Sequence, residues 1–192
     1  MSGSDKTQRQ FSRATRSGCG FAQSAAGIYC PIDRKIQLDA GFFQDLERRF
    51  RACDAGSKSC QFSQAYVISH EVGHHVQNLL GILPKAQRAQ QSLDKAEANQ
   101  VQVRVELQAD CLAGVWANHS QETWNFIEPG DVEAAMQTAS AIGDDRLQRQ
   151  AQGYVVPDAF THGTSQQRTR WFMTGLKSGK VESCDTFNAA QL

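Results

Sequence analysis

The sequence predicts an α+β fold in which a small N-terminal β-sheet packs on a mainly helical layer. Three observations predict it. Short runs rich in Ile and Tyr, punctuated by Pro and Asp, fall in the first forty residues, as strands and turns require. From about residue 65 onward, apolar residues recur at steps of three and four, the period of a helix face. Capping and stop signals then recur at helix-length intervals. A chain of 192 residues is within what one core can serve. Met1-Ser2-Gly3-Ser4 reads as an expression scar, so residues 1–10 are set apart as a disordered or expression-derived leader and 11–192 as one domain.

Residues 27–38 carry Ile28, Tyr29, Ile32, Ile36 and Leu38 around Pro31 and Asp33, which predicts two short strands about a turn. Asp39 then caps a helix bearing Phe42, Phe43, Leu46 and Phe50. Ala65, Ile68, Val72, Val76 and Leu79 form the apolar stripe of the next helix, which Gly81 and Pro84 end. A Gln- and Ala-rich helix follows from about residue 86 to 118, with an interruption near Asn99. Another spans Asp131 to Ile142, and Gly143-Asp144-Asp145 makes a turn or kink before Arg146. The last helix starts at Thr164, where Thr164-Ser165-Gln166-Gln167 fits a capping box. The sheet has a possible use: Ile36 to Asp39, or Gly18-Cys19-Gly20, offers an edge on which an extended peptide can pair.

The stripe-bearing helix contains His70-Glu71-Val72-Gly73-His74, an H-E-x-x-H pentad. Chance alone gives this pattern in roughly one such chain in two hundred. Side chains four apart share a helix face, so both imidazoles can reach one metal ion at about 2.0–2.1 Å. Glu71 then stands beside the metal, placed to take a proton from metal-bound water rather than to ligate. A catalytic zinc commonly has three protein ligands and an open position. The metzincin continuation fails, because Gln77 stands where that pattern needs Gly and Leu80 where it needs His. The other route is a carboxylate on a second helix. Glu106 and Asp110 lie four apart in a run with helical apolar spacing (Val101, Val105, Leu112, Val115, Trp116). Glu106 can therefore be the third ligand while Asp110 accepts a hydrogen bond from the outward nitrogen of a ligating His.

These stretches resemble those of the bacterial neutral zinc metallopeptidases, a family often membrane-anchored. The resemblance rests on T-R-S-G-C-G from Thr15, Y-C-P from Tyr29, H-E-V-G-H-H-V-Q from His70 and E-L-Q-A-D-C-L-A-G-V-W from Glu106. A-I-G-D-D-R-L-Q from Ala141 and V-V-P-D-A-F-T-H-G-T-S-Q-Q-R from Val155 complete it, in family order over about residues 12 to 190. It implies a zincin-like, gluzincin-type arrangement: His70, His74 and Glu106 on one Zn2+ per chain, Glu71 as general base, and zinc-activated water hydrolysing a peptide bond. By analogy with gluzincins that use a downstream His, His162 in Phe160-Thr161-His162-Gly163-Thr164 is the expected stabiliser of the oxyanion; Tyr154 is a weaker candidate. His75 is turned about 100° from His74 and faces away from the metal. His119 is expected as a helix-terminal charge. Cys53 to Cys60 departs from the family pattern as an insertion.

Basic and acidic residues balance at 20 each, so no bulk field recruits nucleic acid or an anionic membrane. No apolar run approaches the ~20 residues of a span, so the membrane anchor that the resemblance implies lies outside this chain. Six cysteines point to an oxidising, extracytoplasmic compartment such as periplasm or cell envelope. Fifteen pairings are possible. Cys19 and Cys30 flank a Gly-rich reversal, Cys53 and Cys60 bracket a turn, and Cys111 and Cys184 remain as the third pair; the rival use is a second, structural zinc. The expected function is a metalloendopeptidase acting on a peptide or protein substrate. Its alternatives are a zinc-binding envelope protein that works by interaction and a zinc amidase on cell-wall peptides. Substrate identity and oligomeric state are left open by the sequence.

Overall fold

A computed structural model of the chain describes residues 8–11, 14–23, 27–39, 41, 44, 56–141 and 143–192. Five strands precede the described helices: β1 Gln8–Phe11, β2 Ala14–Ser17, β3 Gly20–Gln23, β4 Gly27–Cys30 and β5 Lys35–Asp39. The two strands expected around Pro31 are β4 and β5, which pair antiparallel. β1 adds to the other side of β5 in parallel, giving the order β1-β5-β4, while β2 and β3 form a separate hairpin. Two expectations are corrected here. Gln8 to Gln10 belong to the sheet rather than to a leader. Ile36 to Asp39 cannot offer a free edge, because β5 has a partner on each side; Gly18 and Cys19 lie in the β2–β3 turn.

The described helices are α1 Lys58–Leu79, α2 Ile82–Gln90, α3 Lys95–Trp124, α4 Asp131–Ala141, α5 Asp144–Gln152 and α6 Ser165–Ser178. Two short 3-10 turns lie at Pro157–Ala159 and Val181–Cys184. No helix among the described residues is long and apolar enough to cross a membrane. Of the helix expected after Asp39, Gly41 and Gln44 are helical and Asp39 Oδ1 accepts from the Gly41 N–H at 2.9 Å; Phe42, Phe43, Leu46 and Phe50 lie outside the described residues.

Local chemistry explains most boundaries. Ser57 caps α1 by accepting from the Cys60 N–H at 3.1 Å. Gly81, at φ 75°, takes the left-handed conformation that ends α1. Pro84 does not end it; it sits in the first turn of α2, where a missing N–H costs nothing. The break in the Gln-rich stretch falls at residues 91–94, not near Asn99, and α3 runs on to Trp124. The reason is a capping box, Asp94 with Glu97, that makes a new start in mid-stretch. Gly143 caps α5, so Asp144 and Asp145 already belong to a helix. Thr164 and Gln167 form the expected capping box of α6.

The main core gathers Phe62, Tyr66 and Val67 of α1, Ala113 and Ala117 of α3, Ala135 and Ala139 of α4, and Phe172 of α6. The sheet packs on this layer through Tyr29, Ile36 and Leu38 against Ile68 and Leu83. α3 and α6 approach at two glycines. A Cβ on Gly114 would stand 2.1 Å from the Phe172 carbonyl oxygen, and one on Gly175 would stand 1.9 Å from the Cys111 oxygen. Disulfides join Cys19 to Cys30 and Cys111 to Cys184, with Cα–Cα distances of 5.7 and 5.5 Å. Cys60 is also disulfide-bonded; its expected partner, Cys53, lies outside the described residues.

The glycine crossing is testable against a glycine kept only for its backbone conformation. Gly175→Ala should lower stability to urea by about 3 kcal/mol or more, since backbone must move to admit the methyl group. Gly153→Ala, at φ 82° with open space around it, should cost about 1–2 kcal/mol. Equal losses would show that α3 and α6 are not in backbone contact there.

Candidate metal centre

α1 and α3 cross so closely at Gly73 that a Cβ there would lie 3.0 Å from the Ala109 carbonyl oxygen. This approach brings one turn of α3 against the histidine-bearing turn of α1. His70 Nε2 lies 3.2 Å and His74 Nε2 3.4 Å from Glu106 Oε2. All three ligand atoms lie within 4.8 Å of one another, and the group could hold a metal ion. For bonds of about 2.1 Å at a tetrahedral angle, ligand atoms stand about 3.4 Å apart, so the spacing and the His2Glu donor set fit zinc. Glu106 Oε1 accepts from Gln102 Nε2 at 2.9 Å, leaving Oε2 for the imidazoles.

Each imidazole is held at its other nitrogen. His70 Nδ1 lies 2.8 Å from Asp110 Oδ1, the arrangement expected from the E-x-x-x-D spacing. Asp110 is wholly buried and shared further: Tyr66 Oη donates to Oδ1 at 2.6 Å, while Arg168 donates to Oδ2 from Nε at 2.9 Å and to Oδ1 from Nη2 at 3.0 Å. His74 Nδ1 lies 2.8 Å from Gln77 Oε1. Neither Gln77 nor Arg168 was expected at the site. A Gln three residues after a ligating His shares its face, and an Arg on the inner face of a helix needs a buried carboxylate; those are the signals that could have found them.

Glu71 is buried, 5% exposed, and its Oε2 has no hydrogen-bond partner among the described residues. His75 turns away from the cluster as expected, and its Nδ1 meets the Tyr29 hydroxyl of β4 at 3.0 Å. His119 Nε2 meets the Gly179 carbonyl at 2.8 Å and so links α3 to the end of α6. Tyr154 is exposed after α5. His162 lies on the loop before α6, half exposed. Asp144 Oδ2 accepts from its N–H at 2.6 Å, and Thr161 Oγ1 and Asp144 Oδ1 flank its Nδ1 at 3.0 and 3.3 Å. The next residue, Gly163, packs on Val103 and Leu107, so this loop rests on the α3 turn that bears Glu106.

Electrostatics follow from these contacts. Burial pulls the His70 pKa down, but Asp110 and Glu106 more than offset it and hold it up at about 10. Burial likewise opposes, and Glu106 reverses, the shift at His74, which is upward. Burial would raise the pKa of Glu106, yet the two imidazoles hold it well below the usual range. Burial would also raise Asp110, but Arg168 and His70 keep it ionised.

The family described as "Putative neutral zinc metallopeptidase" matches residues 5–187. The chain belongs to this family. It is 53% identical over 174 residues to the "Uncharacterized protein YpfJ" of Escherichia coli (strain K12), a match covering 90% of this chain and 58% of that protein. It is 44% identical over 194 residues to an uncharacterized protein of Mycobacterium tuberculosis (strain H37Rv), covering 96% of this chain and 63% of the relative. The chain thus spans about 58–63% of the length of these relatives. No solved structure matches it. The family name implies zinc and a peptide or protein substrate.

A raised imidazole pKa stabilises the folded state fully below the unfolded value of about 6.5 and ceases to do so as pH rises through the folded value. Metal-free protein should therefore lose urea stability between pH of about 6.5 and about 10. Asp110→Asn should flatten that loss. An unchanged slope in the variant would mean that Asp110 does not hold the His70 proton.

Proposed function

We propose that this chain is a zincin-like metallopeptidase domain that hydrolyses peptide bonds with Glu71 as general base. The observation that carries this is the Glu71 carboxylate: a buried acid with an oxygen unpartnered among the described residues, next to a cluster whose three members are all hydrogen-bonded. An unsatisfied buried polar atom costs about 1–3 kcal/mol, and a scaffold that merely held metal would gain nothing from it. His70, His74 and Glu106 would hold one zinc ion per chain. What zinc supplies when bound is Lewis-acid chemistry: a polarised carbonyl and a water with a pKa near neutrality.

The chain's own residues then supply proton transfer and orientation. Glu71 accepts a proton from the attacking water and returns it to the leaving amine. Asp110 fixes the His70 ring and is itself held by Arg168 and Tyr66. His162, in the tautomer whose Nδ1 accepts from the Thr161 hydroxyl, carries its proton on Nε2 and would donate it to the oxygen on which charge develops. The approach of the next residue, Gly163, to Val103 and Leu107 beside Glu106 supports that role. The disulfides are suggestive of an extracytoplasmic location, and the longer relatives leave room for an anchor outside this chain.

Two measurements test the reading. Purified protein should carry about one zinc per chain, and Glu106→Ala should lose it to mild chelation, because it removes one of three ligands; full occupancy in the variant by elemental analysis would rule Glu106 out as a ligand. Glu71→Gln should keep zinc and fold but cleave a broad peptide library on the order of 10²-fold more slowly. If the wild type holds zinc and cleaves nothing, the interaction protein replaces the enzyme.

A further inference from the structure

We propose that Gln77 and Gln108 form a positioning relay that fixes the tautomer of His74, anchored by the Cys111–Cys184 disulfide through the Cys184 carbonyl. The inference rests on the reading of His70, His74 and Glu106 as a zinc site. It extends that site to the C-terminal tail.

The orientation of both amides follows from acceptors that cannot donate. Gln77 is wholly buried. Its Nε2 donates to the Val105 carbonyl at 2.8 Å and to Gln108 Oε1 at 3.0 Å. A backbone carbonyl only accepts, so the nitrogen must face it and Oε1 must face His74. The His74 nitrogen 2.8 Å from that oxygen is then an N–H, and in the neutral ring that binds metal Nε2, on the Glu106 side, is the bare nitrogen. Gln108 is fixed by the same logic. Its Nε2 donates to the Cys184 carbonyl at 2.9 Å, which again only accepts, leaving Oε1 for Gln77.

Cys184 is held in place by the rest of the tail. The disulfide ties it to Cys111, three residues from Gln108 on α3. Thr186, also wholly buried, donates from Oγ1 to the Arg104 carbonyl at 2.6 Å. Arg104 in turn donates to the carbonyls of Thr186 and Ala189. Residues 184–189 thus run along the 104–108–111 side of α3. At Nδ1, His70 meets an ionised carboxylate, whereas His74 meets a neutral amide. The neutral arm is the one that depends on a distant crosslink.

The test is zinc affinity, measured by competition with a chromophoric chelator, together with imidazole nitrogen NMR of the zinc-loaded protein. Gln77→Met keeps the volume and removes the acceptor; it should raise the zinc Kd about 10–100-fold. Gln108→Met and the pair Cys111→Ser with Cys184→Ser should each raise it several-fold, and they carry the test if Gln77→Met fails to fold. Asn118→Ala breaks an α3–α6 contact, Nδ2 to the Leu176 carbonyl at 2.8 Å, and should cost stability without changing the Kd. In the wild type, NMR should show His74 bound to metal through Nε2 with Nδ1 protonated. Folded Gln77→Met and Gln108→Met with wild-type Kd, an Asn118→Ala that weakens zinc equally, or His74 ligating through Nδ1 would each overturn the relay alone. Wild-type protein that binds no zinc would remove the site on which it rests.

Discussion

The carboxylate of Asp110 carries a negative charge with no access to water, and the rest of the structure is arranged around that fact. Burying an ion costs several kcal/mol unless strong partners surround it. Here the partners come from two other helices: Tyr66 and His70 from α1, Arg168 from α6. One buried charge on α3 therefore fixes where α1 and α6 must lie along it. The same contact that makes three helices register also sets the tautomer of an imidazole facing Glu106. Folding and the arrangement of the candidate metal centre are the same event at this point.

Close backbone approach makes that arrangement geometrically possible. Gly73 lets α1 lie against Ala109, and Gly114 with Gly175 let α6 lie against α3. With bulkier residues at these crossings, Glu106 would stand back from the imidazoles and Arg168 from Asp110. The sheet contributes from the other side of α1: Tyr29 of β4 receives a hydrogen bond from Asn78 and meets His75, bracing the turn just past His74. Helix α1 is thus braced on its sheet side by one hydroxyl and on its α3 side by amides and a carboxylate.

Helix α1 also shows how a correct expectation can rest on a partial reason. Ala65, Ile68, Val72, Val76 and Leu79 mark its period, yet Val72 and Leu79 are exposed. The face that is buried bears Ser63, Tyr66, Ser69, His70, Glu71 and Gln77. An apolar stripe reports periodicity wherever it falls, but the inward face joins apolar Phe62 and Val67 to Tyr66, His70 and Gln77, whose side chains find partners on α3 and α6. The same limit applies to the strands. The pattern of Ile36 and Leu38 marked a strand, but whether that strand was central depended on β1, whose residues carry no comparable signal.

By itself the sequence determined those features whose cause is local. The His70–His74 and Glu106–Asp110 spacings follow from the helix repeat, the Thr164 cap from its own tetrapeptide, and the first disulfide from a short loop. Asp94 with Glu97 is equally local, and its capping box sets the start of α3 ahead of Asn99. Tertiary structure alone decided what needed partners far apart in the chain: Arg168 meeting Asp110 across 58 residues, Gln108 meeting Cys184 across 76, and Gln77 meeting Gln108 across 31. A side-chain amide or guanidinium has the same sequence signature on a wet surface as in a buried network. Only the packing that removes water from it turns its hydrogen bonds into constraints.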